Sequence, residues 1–392
     1  MYYRLILVAI VVGLTTGNAF SQNILGQETA ITTAVPFLAI SPDARHAALG
    51  DAGVATSPDA NAAYWNAGKL VFLQTKYGAS ASYTPWLGKI VNDMAISYLT
   101  GYYKISQYQA VAVALKYFDM GDVTFRDGPL ISDISGEYNP RDFSFDATYS
   151  RQLSQNLGIG ISGRYIYSNL TGTSATVDAK PGKSVAADIG IYYTKELRWQ
   201  KLSTLSLGAT ITNIGAKLTY TDNNNEDFLP TNLRLGAALT TQLDPYNSLT
   251  FILDFNKLMV PSPPLRDSTN GNIIKGKDPN RSLLNAMFTS FGDAPGGLSE
   301  EIEEVMTSVG IEYWYNRTFA ARLGYFNEAK SKGNRKYMTI GLGFNKNRFG
   351  IDVAYLVPTA KREHPLAETL RFTLHFNITE NTANQESATD NP

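Results

Sequence analysis

Short segments in which apolar and polar residues alternate limit most strongly what this chain can fold into. Phe143, Phe145, Ala147 and Tyr149 alternate with Ser144, Asp146, Thr148 and Ser150. Leu157, Ile159, Ile161, Gly163, Tyr165 and Tyr167 alternate with Gly158, Gly160, Ser162 and Arg164, and Val185, Ala187, Ile189, Ile191 and Tyr193 with Ala186, Asp188 and Gly190. A period of two is a strand with one apolar and one polar face. The pattern recurs near 75–84, 90–100, 107–118, 203–213, 231–241, 247–257, 304–315, 319–327, 336–345, 348–356 and 369–378. That makes about fourteen strands of roughly ten residues, the length that crosses a bilayer when tilted.

The connections alternate as well. Gly101–Lys104, Gln152–Asn156, Lys195–Lys201, Leu243–Tyr246, Asn316–Arg317 and Asn345–Asn347 are short, whereas 120–140, 168–183, 214–230, 258–303, 328–335 and 357–368 are long. Only the connection near 85–89 is short where a long one is due. Short turns at one end and long loops at the other are the pattern of an outer-membrane barrel. Arg4, the apolar run 5–14 and the small residues up to Ser21 read as a secretory signal peptide, and no other run approaches the roughly 20 apolar residues of a spanning helix. A chain without such helices enters a membrane only as a closed barrel. The fold expected is all-β: a 14-stranded antiparallel transmembrane β-barrel with a small N-terminal helical plug segment. Its division is signal peptide 1–21, plug 22–74, barrel 75–378 and periplasmic tail 379–392, in the bacterial outer membrane with lipid around the wall.

The 23 tyrosines fit such a wall. Tyr77, Tyr83, Tyr98, Tyr117, Tyr149, Tyr167, Tyr193, Tyr313, Tyr315, Tyr325 and Tyr355 fall mainly near strand ends on the apolar face, where an aromatic girdle sits. The opposite face carries Asp146, Arg164, Asp188, Arg234, Asp254, Glu312, Arg322, Asp352, Arg371 and His375. Neighbouring strands should pair Asp146 and Asp188 with Arg164, Glu312 with Arg322, and Asp352 with Arg371. These charges either line a solute pathway or fill a closed lumen as a salt-bridge network.

Two regions depart from alternation. Residues 31–74 show helical spacing, with one helix starting at Asp43 and running to about Leu49 and another from Ser57-Pro58-Asp59 toward Trp65. They belong on the periplasmic side or inside the barrel. In the loop 258–303, Leu283, Leu284, Met287, Phe288 and Phe291 share a helical face, and Ser299 precedes an acidic run that can start a helix. The apolar face either receives a protein partner or folds down over its own barrel.

Composition removes most chemistry. With no cysteine there is no disulfide, thiolate metal site or cysteine nucleophile, and 34 basic against 35 acidic residues argue against a nucleic-acid partner. Gly158-Ile-Gly160-Ile-Ser-Gly163 matches a dinucleotide fingerprint by letters but lies inside a strand. The acidic run Asp222–Asp227 lacks calcium-loop spacing and its central glycine. Three separated histidines, His46, His364 and His375, suggest no catalytic or metal site, although His364 with Glu363 and Asp133 could in principle form a hydrolase site. Neither an enzyme nor a cofactor is expected.

Residues 37–66 resemble the N-terminal signature of the PorV family, outer-membrane barrels of the type IX secretion system in Bacteroidetes and distant members of the FadL superfamily. The resemblance rests on Ile40-x-Pro42-Asp43-Ala44-Arg45, then Gly50-Asp51-x-Gly53-Val54-Ala55, then Trp65-Asn66. Ala67-Gly68 follows where such proteins usually carry Pro-Ala. The resemblance implies fourteen strands and a role in protein export. Such proteins sit beside a large SprA-type translocon barrel, receive cargo through its C-terminal signal domain, and pass it to an attachment complex with a PorU-type sortase. The superfamily link leaves a second implication, a transporter of small hydrophobic compounds with an apolar pocket beside the plug.

Overall fold

The computed structural model describes residues 30–87, 93–128, 133–170, 180–198, 201–221, 226–359 and 369–378. The expected signal peptide at 1–21, the expected tail at 379–392, Glu363, His364 and residues 222–225 lie outside them. The strands are β1 (Tyr77–Pro85), β2 (Met94–Ser106), β3 (Gln109–Met120), β4 (Val123–Arg126), β5 (Ile134–Tyr138) and β6 (Arg141–Ser154). Next come β7 (Leu157–Asn169), β8 (Gly182–Arg198), β9 (Leu202–Gly215), β10 (Asn232–Gln242), β11 (Asn247–Leu258), β12 (Leu265–Arg266) and β13 (Ile273–Lys275). The last are β14 (Met306–Tyr315), β15 (Phe319–Asn327), β16 (Lys336–Lys346), β17 (Phe349–Pro358) and β18 (Leu370–Ile378).

All of these except two loop hairpins, β4–β5 and β12–β13, form one closed antiparallel barrel of fourteen strands. It closes where β1 pairs with β18, Tyr77 opposite Ile378. Closure leaves no strand edge, so every barrel strand finds its backbone partners inside the protein. The alternation becomes two surfaces: on β6, Phe145 and Tyr149 are exposed while Asp146 and Ser150 are buried. Outward aromatics form two bands. Tyr77, Tyr103, Tyr149, Tyr313 and Phe344 stand toward the short-turn end, and Tyr83, Phe143, Tyr165, Tyr325 and Phe372 toward the long loops.

Some expectations fail locally. Tyr98 is not part of the girdle: on β2 the residues Ile96, Tyr98 and Thr100 face inward, and Tyr98 is buried edge-on against Tyr64 at 6.2 Å. Nor do Gly101–Lys104 make a turn. They continue β2, and the chain reverses at Gln107–Tyr108.

Residues 30–76 run through the lumen. At the long-loop end, Ala34 donates to the Phe228 carbonyl at 2.9 Å, and Phe37 and Leu38 pack with Ile96, Phe118, Ile166, Leu218 and Leu229. Two helical turns follow, α1 (Ala44–Ala47) and α2 (Ala62–Trp65), then a 3-10 turn at Ala67–Phe72 that abuts β6, β7 and β8. At the short-turn end Lys104 Nζ donates to the Leu73 carbonyl at 2.6 Å, and the chain enters β1. Asp43 caps α1 by accepting from the His46 amide at 3.1 Å. The second helix begins later than Asp59, because Asp59 Oδ1 accepts from the Asn61 amide at 2.9 Å and makes a turn there.

Candidate functional site: a locked plug and an inverted outer loop

The plug is held to the wall by polar bonds at many points. Arg45 reaches from α1 across to β14, its Nε donating to Glu312 Oε2 at 3.0 Å and Nη2 to Glu312 Oε1 at 2.8 Å. Its Nη1 turns back to Asp59 Oδ2 at 2.9 Å. Burial opposes ionisation of Asp59, but the charges of His46, Arg45 and Lys69 outweigh it and hold its carboxyl well below the usual range. Asp254 on β11 accepts from the Gly53 and Val54 amides at 2.7 and 2.9 Å. Arg371 on β18 donates to the Ser41 carbonyl at 2.9 Å and lies 3.8 Å from Asp51, which also accepts from Tyr337 at 2.5 Å. Lys116 on β3 donates to the Ile40 carbonyl at 2.5 Å.

Inside the plug a second set of bonds fixes its own shape. Asp43 accepts from Trp65 Nε1 at 2.7 Å and lies 2.7 Å from His46 Nδ1, while His46 Nε2 lies 2.9 Å from Thr56 Oγ1. Lys69 Nζ donates to Thr56 Oγ1 at 2.9 Å and to the Gly53 carbonyl at 2.7 Å. Asp43, His46 and Thr56 follow the order of a hydrolytic triad, yet none is more than 1% exposed and Thr56 is occupied by Lys69. No substrate reaches them, so the arrangement is a clasp. Burial pushes the Lys69 ammonium down to about 8, against the pull of Asp59.

Several residues of the N-terminal signature make specific contacts in this plug. Pro42 is buried just ahead of the Asp43 cap. Gly50 has φ +69 and lies against the Tyr325 backbone, where an added Cβ would sit 2.6 Å from the carbonyl oxygen. Gly53 lies against the Trp65 ring, which an added Cβ would meet at 2.3 Å. Asn66 accepts from the Gly68 amide at 3.0 Å and donates to the Val54 and Ile191 carbonyls at 3.1 and 2.9 Å.

The wall charges gather around this plug. Arg164 bonds Asp146 and Asp188, the latter at 2.9 Å. Arg322 bonds Glu312 at 2.7 Å and Asp352 at 2.6 Å. Arg371 does not serve Asp352, because it reaches the plug instead, and Asp352 takes Arg322 with His375 at 3.4 Å. Arg234 stacks on Tyr64 and Trp65, 5.5 and 5.3 Å from the ring centroids. Lys69, Lys116, His46, Thr56 and Asp59 were missed by sequence reasoning. Of these, Lys116 carries a signal, since it continues the inward frame Ala110, Ala112, Ala114.

The long loop between β11 and β14 is built the other way round from a surface helix in water. It contains α3 (Leu283–Thr289) and α4 (Leu298–Glu303). Beneath α4 lies an ion-pair floor: Lys257 bonds Glu301 and Glu304 at 2.9 and 2.5 Å, and Lys332 bonds Glu300 and Glu304 at 2.6 and 3.0 Å. Burial opposes ionisation of Glu304, but the bonds from Lys257 and Ser262 and the charge of Lys332 prevail and hold its carboxyl below the ordinary glutamate value. The apolar residues point outward, with Leu298 76%, Phe288 74%, Ile302 64% and Leu284 62% exposed. Phe291 is also exposed, 5.6 Å from Lys257 Nζ. Of the apolar residues expected on one face of α3, Met287 is turned inward and buried and Leu283 is half-buried, so Leu284 and Phe288 remain outside.

A family model described as "Type IX secretion system protein PorV" matches residues 23–265, more than half of the chain. The solved structures similar to it include the Ralstonia pickettii toluene transporter TbuX, at 10% identity and TM-score 0.47, covering 86% of this chain and 98% of that one. They also include the P. putida toluene transporter TodX, at 12% identity and TM-score 0.49, covering 86% of this chain and 99% of that one. A Pseudomonas aeruginosa FadL homologue is similar at 10% identity and TM-score 0.43, covering 90% of this chain and 100% of that one. No curated protein matches the chain.

Proposed function

Since the chain belongs to the PorV family and is an outer-membrane component of type IX secretion, we propose that it is a closed, non-enzymatic carrier that takes cargo on its outer face. In this reading cargo proteins are held through their C-terminal signal domains beside an SprA-type translocon barrel and passed to a PorU-type sortase and attachment complex. The observation that carries the reading is the polarity of α4, whose acidic side is buried on Lys257 and Lys332 while Leu298 and Ile302 face outward. A helix that buries its ion pairs and exposes its apolar side is matched to a partner rather than to water. The patch Leu284, Phe288, Phe291, Leu298 and Ile302 is the surface assigned to that partner. The alternative, a lumenal route for small hydrophobic compounds, needs the space that residues 30–76 fill.

The test is affinity isolation from native outer membrane, comparing the protein with a variant carrying Leu284→Ser, Phe288→Ser, Leu298→Ser and Ile302→Ser. These side chains are exposed, so the barrel should fold. The unaltered protein should recover a very large barrel, a sortase and secreted proteins, and the variant should lose the secreted proteins. Equal recovery by both removes the loop from cargo binding. Recovery of small hydrophobic solute alone favours the alternative.

A further inference from the structure

The short-turn mouth of the barrel holds a cavity that neither the plug nor the outer loop uses. Its volume is about 260 Å3, and its lining includes Arg317, Arg348, His375, Asn345, Asn347 and Asn377. Two neighbouring turns build it. Asn316 and Arg317 (φ 50 and 52) reverse the chain between β14 and β15, and Asn347 (φ 56) does so between β16 and β17. Backbone bonds anchor both turns to neighbouring strands, from Asn345 at the end of β16 to the Thr318 carbonyl at 2.7 Å and from Asn377 on β18 to the Arg348 carbonyl at 2.8 Å. Both arginines are therefore carried on turns held by backbone bonds to the adjacent strands.

The side chains leave an excess of donors. Among the described residues neither the Arg317 nor the Arg348 guanidinium has a hydrogen-bond or ion-pair partner. His375 Nε2 lies 2.8 Å from Asn345 Oδ1, so the Asn345 amide nitrogen points away from the ring. Asp352 stands behind His375 at 3.4 Å, and its other oxygen is taken by Arg322 at 2.6 Å. The cavity thus offers two guanidinium forks and carboxamide donors, with its acidic neighbour already engaged by Arg322 and His375. Phe349, also in the lining, is 68% exposed on the outward face, where the wall meets lipid.

We propose that this cavity binds a phosphate group, presented by a phospholipid headgroup of the periplasmic leaflet or by free phosphate. Paired guanidinium forks match phosphate oxygens in bidentate geometry. Short turns of such barrels lie on the periplasmic side, which places the site at that leaflet's headgroup level.

Titration calorimetry of the detergent-purified protein tests this with two probes, inorganic phosphate and dihexanoyl phosphatidylglycerol. Binding of the short-chain lipid alone identifies a headgroup site, and comparable binding of both identifies a site for phosphate itself. Arg317→Gln with Arg348→Gln should weaken binding at least tenfold, with the heat-modifiable gel shift of the folded barrel unchanged. Asn347→Asp keeps both arginines but adds a carboxylate to the lining, and should weaken binding as well. The proposal is overturned if the unaltered protein binds neither probe, or if both variants bind as it does.

Discussion

Arg45 and Glu312, 267 residues apart in sequence, meet in a two-point ion pair that fixes the first helical turn of the plug to the barrel wall. Both side chains are buried, 8% and 3% exposed, and Glu312 is shared with Arg322. A buried pair of this kind adds little over a well-packed apolar contact, but removing one partner strands the other. Glu312→Gln strips two arginines of their common acceptor, whereas Arg45→Met leaves Glu312 still paired with Arg322. The first should cost about 3–5 kcal/mol and the second less. Urea unfolding of both single variants and the double variant measures this, with the double falling short of the sum.

Lys69 supplies a pH test. Its ammonium is pushed down to about 8 by burial, while in the unfolded chain it titrates near its ordinary value of 10.5. Between these values the unfolded chain holds the proton and the folded one does not, so stability rises with pH across that window. The penalty at lower pH is roughly 3 kcal/mol. The unfolding midpoint should climb from pH 8 toward pH 10, and the climb should shrink in Lys69→Met. Identical slopes in the two proteins would count against a buried charged lysine.

Gly53 is predicted to admit no side chain. An alanine Cβ would stand 2.3 Å from the Trp65 ring, and the ring cannot retreat without giving up its bond to Asp43. Gly53→Ala should cost about 1–3 kcal/mol through overpacking. It should also shift the tryptophan emission to the red; an unchanged spectrum and midpoint would show that the plug repacks there freely.

The floor under α4 should loosen in acid. The Glu304 carboxyl is held below its ordinary value, so the stability it contributes is complete above that value and is lost as pH falls through the depressed one. Because the chain has no cysteine, a spin label on Ser299→Cys reports the loop alone. Its mobility should rise as pH drops below the usual glutamate range. Lys257→Met should show the same mobility at neutral pH.

The barrel was legible in the sequence because its two solvents differ. Lipid outside and a packed polar lumen inside impose a period of two, so strands as far apart as β3 and β16 announce themselves alike. The exceptions come where the period carries less information. Tyr98 reads as girdle by residue type, but its frame on β2 turns it inward to Tyr64. Gly101 reads as a turn, yet Tyr102 and Tyr103 continue the alternation through it.

Contacts made across the lumen were not legible. Asp352 and Arg371 lie on neighbouring strands, which suggests a pair, but the plug supplies Ser41 and Asp51 as competing partners for Arg371. The path of residues 30–76 from the long-loop mouth to the short turns has no local signature, since helical spacing fixes a helix and not its neighbours. The same holds for α4: the spacing of Leu298 and Ile302 was available, but Lys257 beneath it comes from a strand about 40 residues earlier.

Conductance across a planar bilayer tests most directly whether this barrel is a sealed scaffold whose exterior does the work. The unaltered protein should carry no steady current, with openings emerging when the plug is loosened by Glu312→Gln. A large, stable conductance in the unaltered protein would contradict it.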